Sequence, residues 1–152
     1  MQTQQVIQLH PETKDREIRV LLACIEECMD CAQACTSCAD ACIAESDVGL
    51  LRQCIRVNLD CADVCRMTAD LCSRRTGANG GILERALELC AGACEVCQEE
   101  CARHGGHHAH CMACAESCRA CADACRDALR AMGGDGITGT GLQRERPSVH
   151  RH

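Results

Sequence analysis

Along most of this chain the core-type positions recur in alternating steps of three and four, and the residue that recurs is cysteine. Cys24, Cys28, Cys31, Cys35, Cys38 and Cys42 step by 4, 3, 4, 3 and 4. That alternation keeps every side chain on one face of an α-helix. As a heptad it fills both inward positions of a bundle. The same pattern returns in Cys90, Cys94, Cys97 and Cys101, and again in Cys111, Cys114, Cys118, Cys121 and Cys125. A fourth segment carries Cys54, Cys61, Cys65 and Cys72, and stays in register if Asn58 and Thr68 occupy the two vacant positions. All 19 cysteines thus fall on four stripes. Alanines beside them (Ala32, Ala39, Ala62, Ala91, Ala122) leave room for close helix approach.

Breakers separate the stripes. Glu45-Ser46-Asp47, the run Thr76 to Gly81, and His104-Gly105-Gly106-His107 each interrupt an Ala-, Leu-, Glu- and Arg-rich segment of helix formers. Helices are predicted over 13–45, 47–75, 81–104 and 107–132, with Ser46 and Asn79 as N-caps. Short linkers make successive helices antiparallel neighbours. The fold class that follows is all-α, an antiparallel up-down-up-down four-helix bundle with a cysteine-lined core over 13–132. Residues 1–12 form an N-terminal segment. Residues 133–152, which hold five of the twelve glycines, read as a flexible tail.

Composition sharpens this picture. The chain of 152 residues has no Phe, Tyr or Trp, and Leu, Ile and Val together number 26. A conventional core would be larger and richer in aromatics, so cysteine is the core. No segment approaches the apolar length of a membrane span. A net charge of −6, with no basic run, argues against nucleic-acid binding. The N-terminal residues carry no apolar export signal, which gives the expectation of a cytoplasmic chain whose thiols stay reduced. An odd cysteine count also precludes complete internal pairing.

The stripes have two different ends. Leu21 precedes Cys24, Leu83 and Leu87 precede Cys90, and Leu129 and Met132 follow Cys125. Antiparallel packing gathers these at one end, beside Cys72. At the other end lie Cys42, Cys54, Cys101 and Cys111, where His104 continues one stripe and His107 begins the next. His108 and His110 complete a cluster there. The expectation is a thiol tube plugged by leucine at one end and rimmed by histidine at the other. A solvated His-Gly turn is the plainer reading of that cluster. Met29, Met67 and Met112 lie off the stripes and read as packing. Leu50, Val57, Val64 and Leu71 form a second strip, suited to a neighbouring helix or a subunit contact.

Free cysteine packs as a small hydrophobe, but leucine would fill the same positions better. Metal binding explains the pattern. Cysteines at i, i+3 and i+4 bring sulfurs together on one helix face. Stacked without interruption they form a ladder and not the separate four-ligand nests of structural zinc. Soft Cu(I) prefers thiolate, and one Cu(I) per thiolate leaves a buried core neutral. Zinc or cadmium sequestration and a thiol redox sensor are the alternatives. Iron–sulfur ligation is disfavoured because no proline adjoins a cysteine. A copper chaperone needs one exposed site, not nineteen buried ones. No Cys-His-Asp set, phosphate loop or carboxylate pair suggests an enzyme.

The repeated C-x-x-x-C-x-x-C-x-x-x-C ladder at Cys24/28/31/35, Cys90/94/97/101 and Cys114/118/121/125 resembles that of the copper storage proteins. The resemblance covers 13–132. It implies a four-helix bundle that holds many Cu(I) ions on inward cysteines, folds without metal, and is often a tetramer. The absent export signal matches the cytosolic branch. It further implies that histidines at the open mouth bind the outermost ions, with His104 the best match and His107, His108 and His110 following as a group. Partners in such a role are copper ions and a copper chaperone or cuproenzyme. Helix 47–75 departs from the pattern at Asn58 and Thr68. Asn58 is either an oxygen donor to metal or a polar core residue hydrogen-bonded locally.

Overall fold

A computed structural model describes residues 2–13 and 18–133. The elements are α1 (Gln2–Gln8), α2 (Ile18–Ala44), a 3-10 turn (Val48–Leu51), α3 (Arg52–Ser73), α4 (Gly80–His104) and α5 (Ala109–Gly133). The four long helices close into a ring. In it α2 packs on α3 and α5, and α4 also packs on α3 and α5.

The sulfur contacts define the register. Cys24 meets Cys125, Cys31 meets Cys118 and Cys38 meets Cys111, each at 3.8 or 3.9 Å, so α2 and α5 run antiparallel with one heptad matched to one heptad. Between α3 and α4, Cys54 meets Cys101 and Cys61 meets Cys94 in the same manner. Across the diagonal, Cys28–Cys90 and Cys35–Cys97 are both 62 residues apart in sequence, which makes α2 and α4 parallel. The up-down-up-down bundle expected from the stripes is the observed fold.

Local details depart from expectation. The second predicted helix begins as the 3-10 turn, whose N-cap position is Asp47 and not Ser46. Asn79 stands at the N-cap of α4, but its side chain accepts no capping hydrogen bond; its carbonyl accepts the first helical bond from Leu83 N. Helix α1 was not anticipated. It docks through Ile7, which is buried, and through a Gln4–Glu26 hydrogen bond to α2. The expected 133–152 tail lies, past Gly133, outside the described residues.

The two ends of the bundle differ as the stripes require. Leu21, Leu83, Leu87 and Leu129 are all buried at the closed end. The chain around residues 10–13 reaches the α3–α4 turn there. His10 Nε2 lies 3.1 Å from Thr76 Oγ1, and Gly77 N donates to Glu12 at 3.0 Å. Gly77 has φ 74°, a conformation that disfavours side chains. A cavity of about 220 Å³ persists beside this turn, lined by Leu21, Arg75, Leu83, Ala128 and Met132 among others. At the open end, a Cβ on Gly105 would meet Met112 Cε, the flexible tip of a side chain that would have to swing aside. On the second strip Leu50 is 76% exposed, whereas its neighbour Leu51 is fully buried against the core. Val57 is buried, and Val64 and Leu71 pack on the core's edge.

Leu87 is fully buried, whereas Leu89 is 54% exposed. Leu87→Ala should lower the stability of the reduced, metal-free protein by about 2–4 kcal/mol through lost burial and a residual cavity. Leu89→Ala should change it by less than about 0.5 kcal/mol. Urea unfolding followed by circular dichroism measures both; equal losses would contradict the placement of the plug.

Candidate metal centre

Every one of the nineteen cysteines is buried and unpaired. Neighbouring sulfurs lie at the limit of van der Waals contact, from 3.6 Å for Cys35–Cys118 to 4.0 Å for Cys24–Cys28. Steps of four along a helix supply contacts such as Cys31–Cys35 and Cys61–Cys65. Antiparallel and diagonal neighbours supply the rest.

These contacts assemble four-sulfur cages. Cys28, Cys90, Cys121 and Cys125 form one, Cys31, Cys65, Cys94 and Cys121 a second, Cys31, Cys35, Cys61 and Cys118 a third, and Cys35, Cys97, Cys114 and Cys118 a fourth. Within each cage all sulfurs lie within 4.8 Å of one another. Each draws on three or four helices, so the sequence expectation of two sulfurs from one helix face captures only part of the geometry. Successive cages share Cys121, then Cys31, then Cys35 and Cys118. A lone cage of this size suits tetrahedral zinc, whose Zn–S bond of about 2.3 Å spans sulfurs about 3.8 Å apart. Shared corners change that chemistry, because every shared sulfur must bridge two metals. Bridging thiolates and soft monovalent ions fit together.

A fifth cage, Cys38, Cys42, Cys54 and Cys111, stands at the open end. Asn58 lies between it and the fourth, beside Cys101, which touches both Cys97 and Cys54. The Asn58 side chain is fully buried. Its Nδ2 donates to Cys54 O at 2.8 Å and faces the sulfurs of Cys54 and Cys101 at 3.3 Å each. Its Oδ1 accepts from Cys114 at 3.0 Å and Cys97 at 3.4 Å. Thr68, at the other vacancy, returns its hydroxyl to Val64 O at 2.8 Å.

The four histidines occupy different positions. His110 Nδ1 lies 3.4 Å from Cys38 Sγ and 3.6 Å from Cys111 Sγ, beside the fifth cage. His108 is partly buried between Asp47 and Glu45. His104 is bound to Glu100 at 3.1 Å. His107 is exposed. The carboxylates of Glu45, Asp47 and Glu100 were not singled out from sequence. Glu100 is four residues before His104, and that spacing was the available signal.

Charge is controlled by burial and by thiol hydrogen bonds. Burial, then the neighbouring Cys54 and Cys111, push the Cys42 thiol up to about 12. Burial, then Cys54, push Cys111 up to about 11. Cys54 moves the other way, to about 2, because the S–H groups of Cys101 and Cys38 are directed at its sulfur. Deeper in the column, Cys24 beside it and burial raise Cys72.

The unfolded thiols ionise near pH 9, whereas the folded Cys42 and Cys111 hold their protons to about 12 and about 11. Above pH 9 the unfolded chain therefore binds fewer protons than the folded one, and stability falls as pH rises. Cys54, ionised in the folded state and ionising near pH 9 in the unfolded one, acts the other way: its contribution grows as pH rises toward 9 and is constant above that. The urea midpoint of the reduced, metal-free protein should rise toward about pH 9 and drop steadily from there toward pH 11, the window bounded by the Cys42 and Cys111 ionisations. A midpoint that rises over that window would reverse the assignment.

Comparison with known proteins places this geometry. Residues 18–130 match the family described as copper storage protein. A copper storage protein from Streptomyces lividans, Ccsp, loaded with 10 copper equivalents, is 45% identical with a TM-score of 0.82; the match covers 85% of this chain and 98% of that one. Another structure, described as copper loading to a cytosolic copper storage protein from Streptomyces lividans with five coppers, is 51% identical with a TM-score of 0.72, covering 73% and 92%. The Cu(I)-bound copper storage protein BsCsp3 is 38% identical with a TM-score of 0.63, covering 70% and 95%. No curated protein matches the chain. The family match spans all four cysteine-bearing helices, and the chain belongs to the copper storage protein family.

Proposed function

We propose that this protein stores Cu(I) in its thiol column, in the cytosol, and exchanges it through the histidine-rimmed end. The observation that carries the reading is the corner-sharing of the sulfur cages. A column of bare thiolates could not be buried, and isolated divalent sites would not share ligands. Each Cu(I) that binds replaces a thiol proton, which leaves to water, so every addition preserves neutrality. Storage, not turnover, suits thiols that are buried throughout. The loaded Streptomyces lividans structures support the reading. The expected homotetramer has a surface on which to form, since Leu59, Leu89 and Val96 are about half exposed on α3 and α4.

The exchange route follows from the ends. Leu21, Leu83, Leu87 and Leu129 offer no ligand, whereas the other end offers the imidazole of His110 beside the fifth cage and those of His104, His107 and His108 around it. Imidazole suits Cu(I) less well than thiolate, so it passes ions inward without trapping them. Asn58 Oδ1 offers an oxygen between the fourth and fifth cages.

Anaerobic titration with Cu(I) should reach roughly one ion per cysteine, as neutrality requires. The chain has no Trp or Tyr, so Cu(I)–thiolate absorbance will rise against almost no background. A plateau at about four equivalents or fewer, the capacity of one or two isolated sites, would sink the storage reading. Replacing His104, His107, His108 and His110 together with non-ligating residues should slow both loading and removal by a chelator, and reduce capacity only by the outermost ions, roughly one to three. Unchanged exchange in that variant, with faster exchange in a Leu83→Ala/Leu87→Ala protein, would move the portal to the other end.

A further inference from the structure

Three of the mouth histidines share one arrangement. His104 Nε2 lies 3.1 Å from Glu100 Oε1, His108 Nε2 lies 3.0 Å from Asp47 Oδ2, and His110 Nε2 lies 3.0 Å from Glu45 Oε1. A carboxylate that accepts the Nε2–H of a neutral imidazole leaves the lone pair on Nδ1. For His110 that Nδ1 is the atom turned toward Cys38 and Cys111, at 3.4 and 3.6 Å. Glu45 is also the shared member of the group, because its Oε1 lies 3.3 Å from His108 Nδ1 as well. One carboxylate therefore holds two imidazoles, whose ring centroids are 5.6 Å apart. It sits just past α2, on the chain that leads from Cys42 to the 3-10 turn.

The geometry points to Glu45 as the positioning residue for copper capture: it fixes the tautomer and ring direction of His110, so that a lone pair faces the fifth cage before any ion arrives. This inference rests on the reading of the histidine end as the copper portal. An incoming Cu(I) meets Nδ1 and forms a Cu–N bond. The ion then passes to Cys38 or Cys111 as the S–H bond breaks, its proton goes to water, a Cu–S bond forms and the Cu–N bond is released. Copper stays Cu(I) throughout, so no oxidant or reductant is needed. Without Glu45 the imidazole is free to turn over and present N–H to the sulfurs, a donor that cannot take the ion. Carboxylates in this position behind a metal-binding histidine commonly raise affinity by 10–100-fold. Glu45 is about one-third exposed, which favours the lower part of that range.

The test uses the full chain, reduced, with Glu45→Ala and Glu45→Gln. Long-range proton–nitrogen correlation spectra of the metal-free proteins report the imidazole tautomers directly. In the parent protein His110 should be the Nε2–H form. In Glu45→Ala it should become a mixture, whereas Glu45→Gln, whose amide oxygen still accepts from Nε2, should restore it. Uptake of Cu(I) from a weak Cu(I)–chelator complex should slow about tenfold in Glu45→Ala and recover in Glu45→Gln, with saturation changed by no more than the mouth ion. A parent His110 in the Nδ1–H form overturns the inference. So does Glu45→Ala uptake at the parent rate, or a general loss of capacity, which would mark Glu45 as a support of the fold. The spectra are recorded without copper. If the parent protein took up no copper at all, the storage reading would fail, while the tautomers would still decide the role of Glu45.

Discussion

Electrical neutrality of the buried sulfur column governs the rest of this structure. A thiol is a small apolar group with a weak donor, and nineteen of them can be packed between helices without cost in charge. A thiolate in the same place would be an unpaired buried ion. The column can therefore exist in two neutral forms, one with protons and one with monovalent soft cations. The surrounding architecture serves that exchange. Alanines such as Ala62, Ala91 and Ala122 bring the helices near enough for sulfurs to touch across the axis, and all three are buried. Leu21, Leu83, Leu87 and Leu129 fill the inward positions at the closed end, and Leu51 is buried at the other.

Asn58 is consistent with the same constraint. A buried amide is tolerable only when both its donor and its acceptor are engaged. Here Nδ2 is used by the Cys54 carbonyl and by two sulfurs, while Oδ1 accepts from Cys114 and Cys97. The result is a neutral polar group set into the column beside Cys101, whose sulfur touches both Cys97 of the fourth cage and Cys54 of the fifth. Cys54, which accepts from Asn58 and from neighbouring thiols, is the mouth sulfur whose negative charge is best tolerated. Thr68 fills the equivalent vacancy in the closed half and satisfies itself locally on Val64 O.

Most of the fold was legible because its core obeys one period. A strict three-four step of a single residue type names the helices, their inward faces and, through the leucines and histidines at the stripe ends, their relative direction. Features that obey no period were not legible. Helix α1 has seven residues, QTQQVIQ, and one buried side chain, Ile7; its position depends on tertiary docking to α2. The histidines show where extrapolated register runs out. His104 and His107 continue the stripes on paper, but α4 ends at His104 and α5 begins at Ala109. His107 therefore stands on a turn and is exposed, whereas His110, in the first turn of α5 and one residue before Cys111, reaches the thiols. The carboxylates behind these rings come partly from another connection, at Glu45 and Asp47, so that pairing exists only once the bundle has closed.

Corner-sharing also joins capacity to mobility. In a set of separate metal nests, an ion bound near the mouth would block those behind it, since leaving one nest means losing all its ligands at once. In this column the first and second cages share Cys121, the second and third share Cys31, and the third and fourth share Cys35 and Cys118. An ion can move along the axis by exchanging one thiolate for the next while a shared sulfur keeps hold of it, and no step exposes a bare cation or a bare anion to the apolar wall. At the Asn58 layer the path continues through Cys101, whose sulfur lies 3.9 Å from Cys97 and 3.8 Å from Cys54. There the amide oxygen accepts from Cys97 and Cys114, while the amide nitrogen faces Cys54 of the mouth cage. The dense packing that gives the bundle many ligands is thus the same feature that lets every ligand be reached from one end.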